Sequence, residues 1–196
     1  MLSEKKDEEI IVLYKNGEEE VFKSLINRYA SPLYNFVARL TDRTSAPDIV
    51  QKTFIKVWKN LHNFDSSRAS FKTWVFTIAK NTATDFLRKS GSASGGKKSI
   101  NFSDIEKENN NEENISFSEN IPDENLLPDV VLQKLQDSEL LNKTLEKLSV
   151  YDRTILILHY QEDMTFEEIG KILEKSLNTV KSQHRRAIIS LRKMLN

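Results

Sequence analysis

Apolar residues recur in this chain at spacings of three and four, and no stretch alternates over the length of a strand. The pattern predicts helices throughout. Ser3 to Asn16 reads as a first helix, with Ser3 as cap, Ile10, Ile11 and Leu13 apolar, and Gly17 as the stop. Residues 18–30 continue helically with Val21, Phe22, Leu25, Ile26 and Tyr29 on one face. Pro32 then opens another helix to about Thr41, carrying Leu33, Phe36, Val37 and Leu40. After the DRTSAP break, Ser45 can cap a helix from Pro47 to Leu61 whose inner face is Val50, Phe54, Val57, Trp58 and Leu61. HNFDSSRAS, 62–70, is a loop by composition. A long helix from Phe71 to Lys89 turns Phe71, Trp74, Val75, Ile78, Thr82 and Phe86 inward. Lys72, Lys80, Asn81, Arg88 and Lys89 face outward beside an exposed Phe76.

Helical spacing returns after Pro128 with Val130, Val131, Leu132, Leu135, Leu140, Leu141, Leu145 and Leu148. Ser149, with Asp152 three residues on, caps a helix whose Ile155–Leu158 run is apolar on all sides and belongs in a core. Thr165 and Glu168 make a capping box. A short helix follows with Ile169, Ile172 and Leu173 inside. A turn near Lys175–Ser176 leads to a last helix, N-capped by Ser176. Its apolar stripe is Leu177, Val180, Ala187, Ile188, Leu191 and Leu195. From Lys175 onward there are six Lys or Arg and no acid. A short helix, a turn and a polar, basic helix form the helix-turn-helix pattern, whose second helix enters the major groove of DNA. A plain helical hairpin with a solvated basic face is the rival reading of this stretch.

Between the helical parts, residues 90–127 change character: GSASGG, then an acidic, Asn-rich run without periodicity. The expected organisation is all-α: one small domain over 1–89, a flexible acidic linker over 90–127, and a second small domain over 128–196. Net charge is zero but uneven. Residues 1–89 carry 15 Lys+Arg against 11 Asp+Glu, a net +4; residues 90–142 carry 4 against 11, a net −7; residues 143–196 carry 10 against 7, a net +3. Phosphate contacts dominate non-specific DNA affinity, so so small a positive surplus implies weak binding by the chain alone and a partner that supplies the rest. Cysteine is absent, which excludes disulfides and thiolate zinc sites. The three histidines show no ligand spacing, no apolar run could span a bilayer, and the charged N-terminus is unlike a signal peptide. These observations imply a cytoplasmic protein with no metal and no cofactor.

On the 47–61 helix, Asp48, Gln51, Ile55 and Lys59 share a second face at i, i+3, i+7 and i+11. Periodicity alone reads this as solvated surface. A resemblance changes that weighting. DIVQKTFIKVWKNLHNFDSSRASFKTWVFTIAKNTATDFLRK resembles the second conserved region of bacterial sigma factors of the extracytoplasmic-function (ECF) group, in the sigma-70 family. LEKLSVYDRTILILHYQEDMTFEEIGKILEKSLNTVKSQHRRAIISLRKML resembles their fourth region. The resemblance implies a dissociable, non-enzymatic subunit that directs core RNA polymerase to promoter DNA, with no small-molecule substrate. It implies that the Asp48, Gln51, Ile55, Lys59 face docks on the polymerase β′ subunit, with β as a further partner. It makes a membrane-bound anti-sigma factor an expected partner.

For DNA, the resemblance implies that the loop from Phe64 to Phe71 (Ser66, Ser67, Arg68, Ser70) and the following Lys72 melt the minus-ten element and hold a flipped-out base. Asn81, Arg88 and Lys89 would take backbone phosphates. In the last helix, Ser176, Asn178, Thr179, Ser182, Gln183 and Arg186 are candidate base-edge readers of the minus-thirty-five element. Lys175, Lys181 and Arg185 are candidate phosphate contacts, which position without specifying. The chain departs from the pattern at Lys52, usually an acid; at Ser149, usually Pro; at Gly170, usually Ala; and at Gln183 and Ile188, commonly basic. A stand-alone helix-turn-helix regulator would leave the 48–59 face and the 64–89 segment idle. An enzyme acting on nucleic acid would need a carboxylate pair, a nucleophile with its base, or a phosphate-cradling loop, and the sequence offers none.

Overall fold

The computed structural model describes residues 5–93, residue 145 and residues 147–195. Seven α-helices lie among them and no strand. They are α1 (Asp7–Lys15), α2 (Phe22–Leu40), α3 (Ala46–Asn60), α4 (Phe71–Ala93), α5 (Val150–Tyr160), α6 (Phe166–Leu173) and α7 (Leu177–Leu195), with 3₁₀ turns at Glu19–Val21 and Leu61–Asn63. Ser3, residues 94–127 of the expected linker, and Val130, Val131, Leu132, Leu135, Leu140 and Leu141 lie outside the described residues; α4 runs past the expected end at Lys89 through residues 90–93, the first of the expected linker.

Helix α1 starts at Asp7, where Asp7, Glu8 and Glu9 in the first turn suit the helix dipole. The Asp7 carboxylate accepts hydrogen bonds from the Arg28 guanidinium and the Tyr29 hydroxyl, which ties α1 to α2. Gly17, at φ +102°, takes the chain out of α1 in a conformation that side chains rarely adopt. Helix α2 corrects the sequence reading: it runs unbroken from Phe22 to Leu40 with Pro32 inside it. An interior proline costs about 3 kcal/mol. The buried row of Leu25, Tyr29, Leu33, Phe36, Val37 and Leu40 offsets that cost by packing on both sides of it.

The capping signals hold in the second part. The Ser149 hydroxyl accepts from the Asp152 amide at 3.1 Å. Thr165 and Glu168 form the reciprocal capping box. The Thr179 amide donates to the Ser176 hydroxyl at 3.1 Å. Ile155 to Leu158 are all buried. Between α6 and α7, Glu174 adopts the left-handed conformation and the Lys175 amide donates to the Gly170 carbonyl at 2.9 Å. A Cβ on Gly170 would lie 2.8 Å from the Lys175 carbonyl oxygen. Only glycine fits this turn unchanged.

Helices α2, α3 and α4 pack on one another, as do α5, α6 and α7; α4 also packs on α6, and α2 on α5. One continuous apolar cluster contains side chains of both parts, from Ile10 and Phe36 to Ile172 and Val180. A smaller cluster of Leu145, Leu148, Leu156, Ala187, Ile188 and Leu191 closes the far side of α5 and α7. Arg153, buried, pins the joint. It donates to the carbonyls of Leu145 at 2.8 Å and Leu148 at 3.2 Å, and across to that of Arg39 in α2 at 2.8 Å. No helix among the described residues is long and apolar enough to cross a membrane.

Two outcomes follow from this packing. Gly170→Ala should destabilise the chain by about 1–3 kcal/mol through overpacking of the turn, measured by urea denaturation; an unchanged midpoint would mean the turn yields freely. Burial pushes the Glu162 carboxyl above its ordinary 4.5, with Lys72 opposing the rise. An acid raised in the folded state binds its proton more tightly there, so its contribution to stability falls as pH climbs from 4.5 through the folded value. Glu162→Gln should remove that fall, so that the stability of the variant minus that of the wild type becomes more positive as pH rises above 4.5 in the same assay; a difference that becomes more negative with rising pH would contradict it.

Candidate polymerase and nucleic-acid interfaces

Helix α3 buries Ala46, Ile49, Val50, Thr53 and Val57 at helical spacing, which turns the opposite side outward. Asp48, Gln51, Lys52, Ile55 and Lys59 are all exposed there. Trp58, assigned to the core by its hydrophobicity, is 47% exposed, and Ile55 is 46% exposed. Trp58 lies one step past the buried Val57 and three residues from Ile55, so it belongs to the outer patch. Its i+7 spacing from Gln51 carried that signal. The patch combines one carboxylate, one amide, two lysines and two apolar side chains. Lys56 reaches the Thr82 hydroxyl at 3.1 Å and fixes α3 against α4.

The 64–70 loop is polar over an aromatic base. Phe64 and Phe71 are buried, their rings 5.7 Å apart at 84°, and the half-buried Trp74 lies 5.1 Å from Phe64. Tyr29 packs on Phe71 from α2 at 5.3 Å. Phe64 and Phe71 are thus a floor, not side chains free to stack on a base. Asp65 accepts from the Ser67 amide at 2.9 Å and hydroxyl at 2.7 Å. These bonds hold its carboxyl below the usual range. They shape a turn that presents Ser66, Ser67 and Arg68 to solvent. Ser70 accepts from the Thr73 amide at 3.1 Å and caps α4.

Along α4, Asn81, Arg88 and Lys89 are exposed as expected. Three neighbours are not. Phe76 is fully buried against Phe36 of α2, ring centres 5.2 Å apart, which corrects its assignment as an exposed aromatic. Lys80 is buried, donating to Asn81 Oδ1 at 3.0 Å. Burial lowers its ammonium pKa, Lys175 adds to the fall and Glu174 opposes it. Lys72, half-buried, turns to the second part of the chain. It donates to the Glu162 carbonyl and lies 3.8 Å from the Glu162 carboxylate. Thr73 lies 3.5 Å from the Glu168 carboxylate, and Lys171 donates to the Arg68 carbonyl at 3.1 Å.

On α7, Asn178, Lys181, Ser182 and Arg186 are exposed together, with Ser176 at the helix start; Lys175, Thr179, Gln183 and Arg185 are half-buried. Ser182 donates to the Thr179 carbonyl at 3.0 Å. The Gln183 Oε1 is buried with no hydrogen-bond partner among the described residues. The stripe behind this face contains a residue the sequence reading skipped. His184, 3% exposed, fills the register between Val180 and Ala187. A ring nitrogen lies 3.0 Å from the Tyr160 hydroxyl, and the His159 and Phe166 rings pack against it at 5.2 and 4.9 Å. Among the described residues no group of three His, Cys, Asp or Glu could hold a metal ion.

Both helical parts match known proteins. Residues 25–93 match the model of sigma-70 region 2, and residues 138–191 match sigma-70, region 4. The chain is 30% identical over 182 residues to the ECF RNA polymerase sigma factor SigW of Bacillus subtilis, covering 92% of each. It is 28% identical to the ECF RNA polymerase sigma-E factor of Escherichia coli, covering 92% of this chain and 90% of that one. The fold resembles CnrH, solved in complex with the cytosolic domain of CnrY (TM-score 0.64, 20% identity, 96% of each chain). It also resembles the sigma factor RpoE of Bartonella quintana, solved with the anti-sigma factor NepR (TM-score 0.60, 24% identity, 89% of this chain and 96% of that one). Both helical modules, in this order and joined in one polypeptide, make the chain a member of the extracytoplasmic-function group of the sigma-70 family.

Proposed function

We infer that this protein is a sigma factor that joins core RNA polymerase, brings it to promoter DNA and opens the duplex for initiation. The observation that carries the reading is the pairing, in one chain, of a sigma region 2 module with a sigma region 4 helix-turn-helix, each with a polar face turned outward. The first module spans 1–89 and the second 128–196. The acidic 90–127 segment connects them. The chain binds and positions, and the bond-making chemistry belongs to the polymerase, in the cytoplasm.

Asp48, Gln51, Ile55 and Lys59 form the docking face for β′. Trp58 extends it, because an exposed indole beside an exposed isoleucine is the kind of anchor that dominates interface energy. In the minus-ten module, a flipped base costs a few kcal/mol of lost stacking. The 64–70 loop can offset this by hydrogen bonds from Ser66, Ser67, Arg68 and Ser70 to the base edges. Phe64, Phe71 and Trp74 hold the loop rigid from beneath. Asn81, Arg88 and Lys89 follow the strand's phosphates, and Lys72 adds a cation near the loop. On α7, the exposed Asn178, Ser182 and Arg186 read bases in the minus-thirty-five element, with Ser176, Thr179 and Gln183 beside them; Lys175, Lys181 and Arg185 hold the backbone. Two proteins of similar fold were solved with protein partners, CnrH with the cytosolic domain of CnrY and RpoE with the anti-sigma factor NepR, which supports an anti-sigma factor for this chain too. A stand-alone regulator would have no use for the α3 patch.

In vitro transcription with core polymerase and a promoter library tests the assignment. Asp48→Arg should abolish initiation. Arg186→Ala should keep initiation but relax or shift upstream preference, at about 1–3 kcal/mol for the base it reads. Full activity of the first with core polymerase would sink the docking face. Trp58→Ala should weaken core binding at least tenfold, on the order of a hot-spot loss, with an unchanged thermal midpoint because the side chain is solvent-exposed. Unchanged affinity would remove Trp58 from the interface.

A further inference from the structure

Helix α1 precedes the residues matched to sigma-70 region 2, and the docking and DNA-reading surfaces proposed above make no use of it. It is nonetheless clamped at both ends. At its start the Asp7 carboxylate accepts from Arg28 and Tyr29 of α2, and Tyr29 packs in turn on Phe71 of the aromatic floor at 5.3 Å. Ile10, Ile11 and Tyr14 are buried along its length. At its end it meets the entrance of the 64–70 loop. The Tyr14 ring lies 5.1 Å from the His62 ring, and the Lys15 ammonium donates to the Phe64 carbonyl at 2.8 Å, across 49 positions of sequence. Phe64 leaves the Leu61–Asn63 turn with extended backbone, φ −63° and ψ 132°, its amide donating to the Leu61 carbonyl at 3.1 Å. Its carbonyl belongs to the peptide that opens the loop. Asp65, on the other side of that peptide, builds the turn beyond: its carboxylate holds Ser67 and its carbonyl accepts from the Arg68 amide at 3.2 Å. The Lys15 charge adds to the lowering of the Asp65 carboxyl pKa, after the Ser67 bonds and the Arg68 charge.

We propose that Lys15 is a positioning residue for minus-ten recognition: by holding the Phe64 carbonyl it fixes the plane of the 64–65 peptide, and with it the direction in which Ser66, Ser67 and Arg68 meet a flipped-out base. This rests on the reading of the 64–70 loop as the minus-ten reader. The far end of the loop is fixed by the helix cap, where Ser70 accepts from the Thr73 amide and lies 2.9 Å from its hydroxyl. Its underside is fixed by the Phe64, Phe71 and Trp74 rings. At the near end a planar peptide can still turn as a unit about its flanking dihedrals. The buried Phe64 ring on one side and the held carbonyl on the other oppose that turn. Hydrogen bonds to a base edge need donors and acceptors placed to within about 0.5 Å and 10–20°. A loop that swings at its entrance therefore loses discrimination between bases. Contacts of Asn81, Arg88 and Lys89 with the strand's phosphates carry no base identity and are left as they were.

The test uses the full-length chain on core polymerase and four promoters that differ at one base: the minus-ten position at which the wild-type holoenzyme discriminates most strongly in the library. Lys15→Met keeps the stem and removes the donor, and because Lys15 is exposed the change opens no core. The ratio of initiation between the best and the worst base should shrink about three- to tenfold, the scale of one hydrogen bond. Affinity for core polymerase and preference in the minus-thirty-five element should not change. Lys15→Arg, which keeps a charged donor, should restore most of the ratio. An unchanged ratio in Lys15→Met would overturn the positioning role. So would an equal loss at all four bases with a flatter salt dependence, which is the mark of a direct phosphate contact. A fall in core affinity that matches the fall in initiation would overturn it as well, because the damage would then be general. A wild-type holoenzyme that prefers no base anywhere in the minus-ten element would instead overturn the reading of the 64–70 loop, and the role of Lys15 with it.

Discussion

Helix α4 is buried from more than one side, and the rest of the molecule is arranged around that constraint. Its inner stripe of Phe71, Val75, Ala79 and Ala83 faces the first module, while Lys72, Thr73 and Lys80 meet the second. Covering lysines is costly unless their ammonium groups find acceptors. Here Lys72 finds the carbonyl and carboxylate of Glu162, and Lys80 finds the Asn81 amide oxygen. The same helix that supports the 64–70 loop is therefore the joint between the modules. Any large change in their relation is felt at the loop.

Weak charge and divided surfaces belong together. A chain of zero net charge cannot hold DNA by phosphate attraction alone. Its exposed cations are instead placed where geometry makes them useful: Arg88 and Lys89 at the end of α4, Lys181 and Arg186 on α7. The exposed patch on α3, proposed above to meet the polymerase, lies on the side of the first module turned away from its core, with Ile55 and Trp58 exposed at one end of an otherwise polar row. The proposed docking and DNA-reading surfaces are therefore separate on the same small bundle, α3 outward for one and the 64–70 loop for the other.

Local chemistry was legible in the sequence where it depended on a few neighbouring residues. The caps at Ser149, Thr165 and Ser176 and the buried Ile155–Leu158 run required nothing from distant parts of the chain. Gly170 was visible only as a departure from a family pattern; the close carbonyl of Lys175 explains it. Pro32 was misread as a helix start because the local cost of an interior proline is large and the tertiary packing that offsets it is not written locally. Trp58 and Phe76 were exchanged, one placed inside and found outside, the other the reverse. Both sit at the edge of a helical stripe, where hydrophobicity cannot choose a side. Lys72 was read as solvent-facing because Glu162, which engages it, lies ninety positions downstream, and Lys80 because nothing local marks its burial. His184 was overlooked because a histidine in an apolar register carries no hydrophobic signal, and only the Tyr160 hydroxyl shows why it fits.

The most direct test of the account is the amine reactivity of Lys72 in the chain alone, measured by competitive acetylation against the exposed Lys89, folded and unfolded in urea. Lys72 should be protected relative to Lys89 in the folded chain, where the carbonyl and carboxylate of Glu162 engage its ammonium, and should match Lys89 once the chain unfolds. A Lys72 as reactive as Lys89 in the folded chain would contradict it.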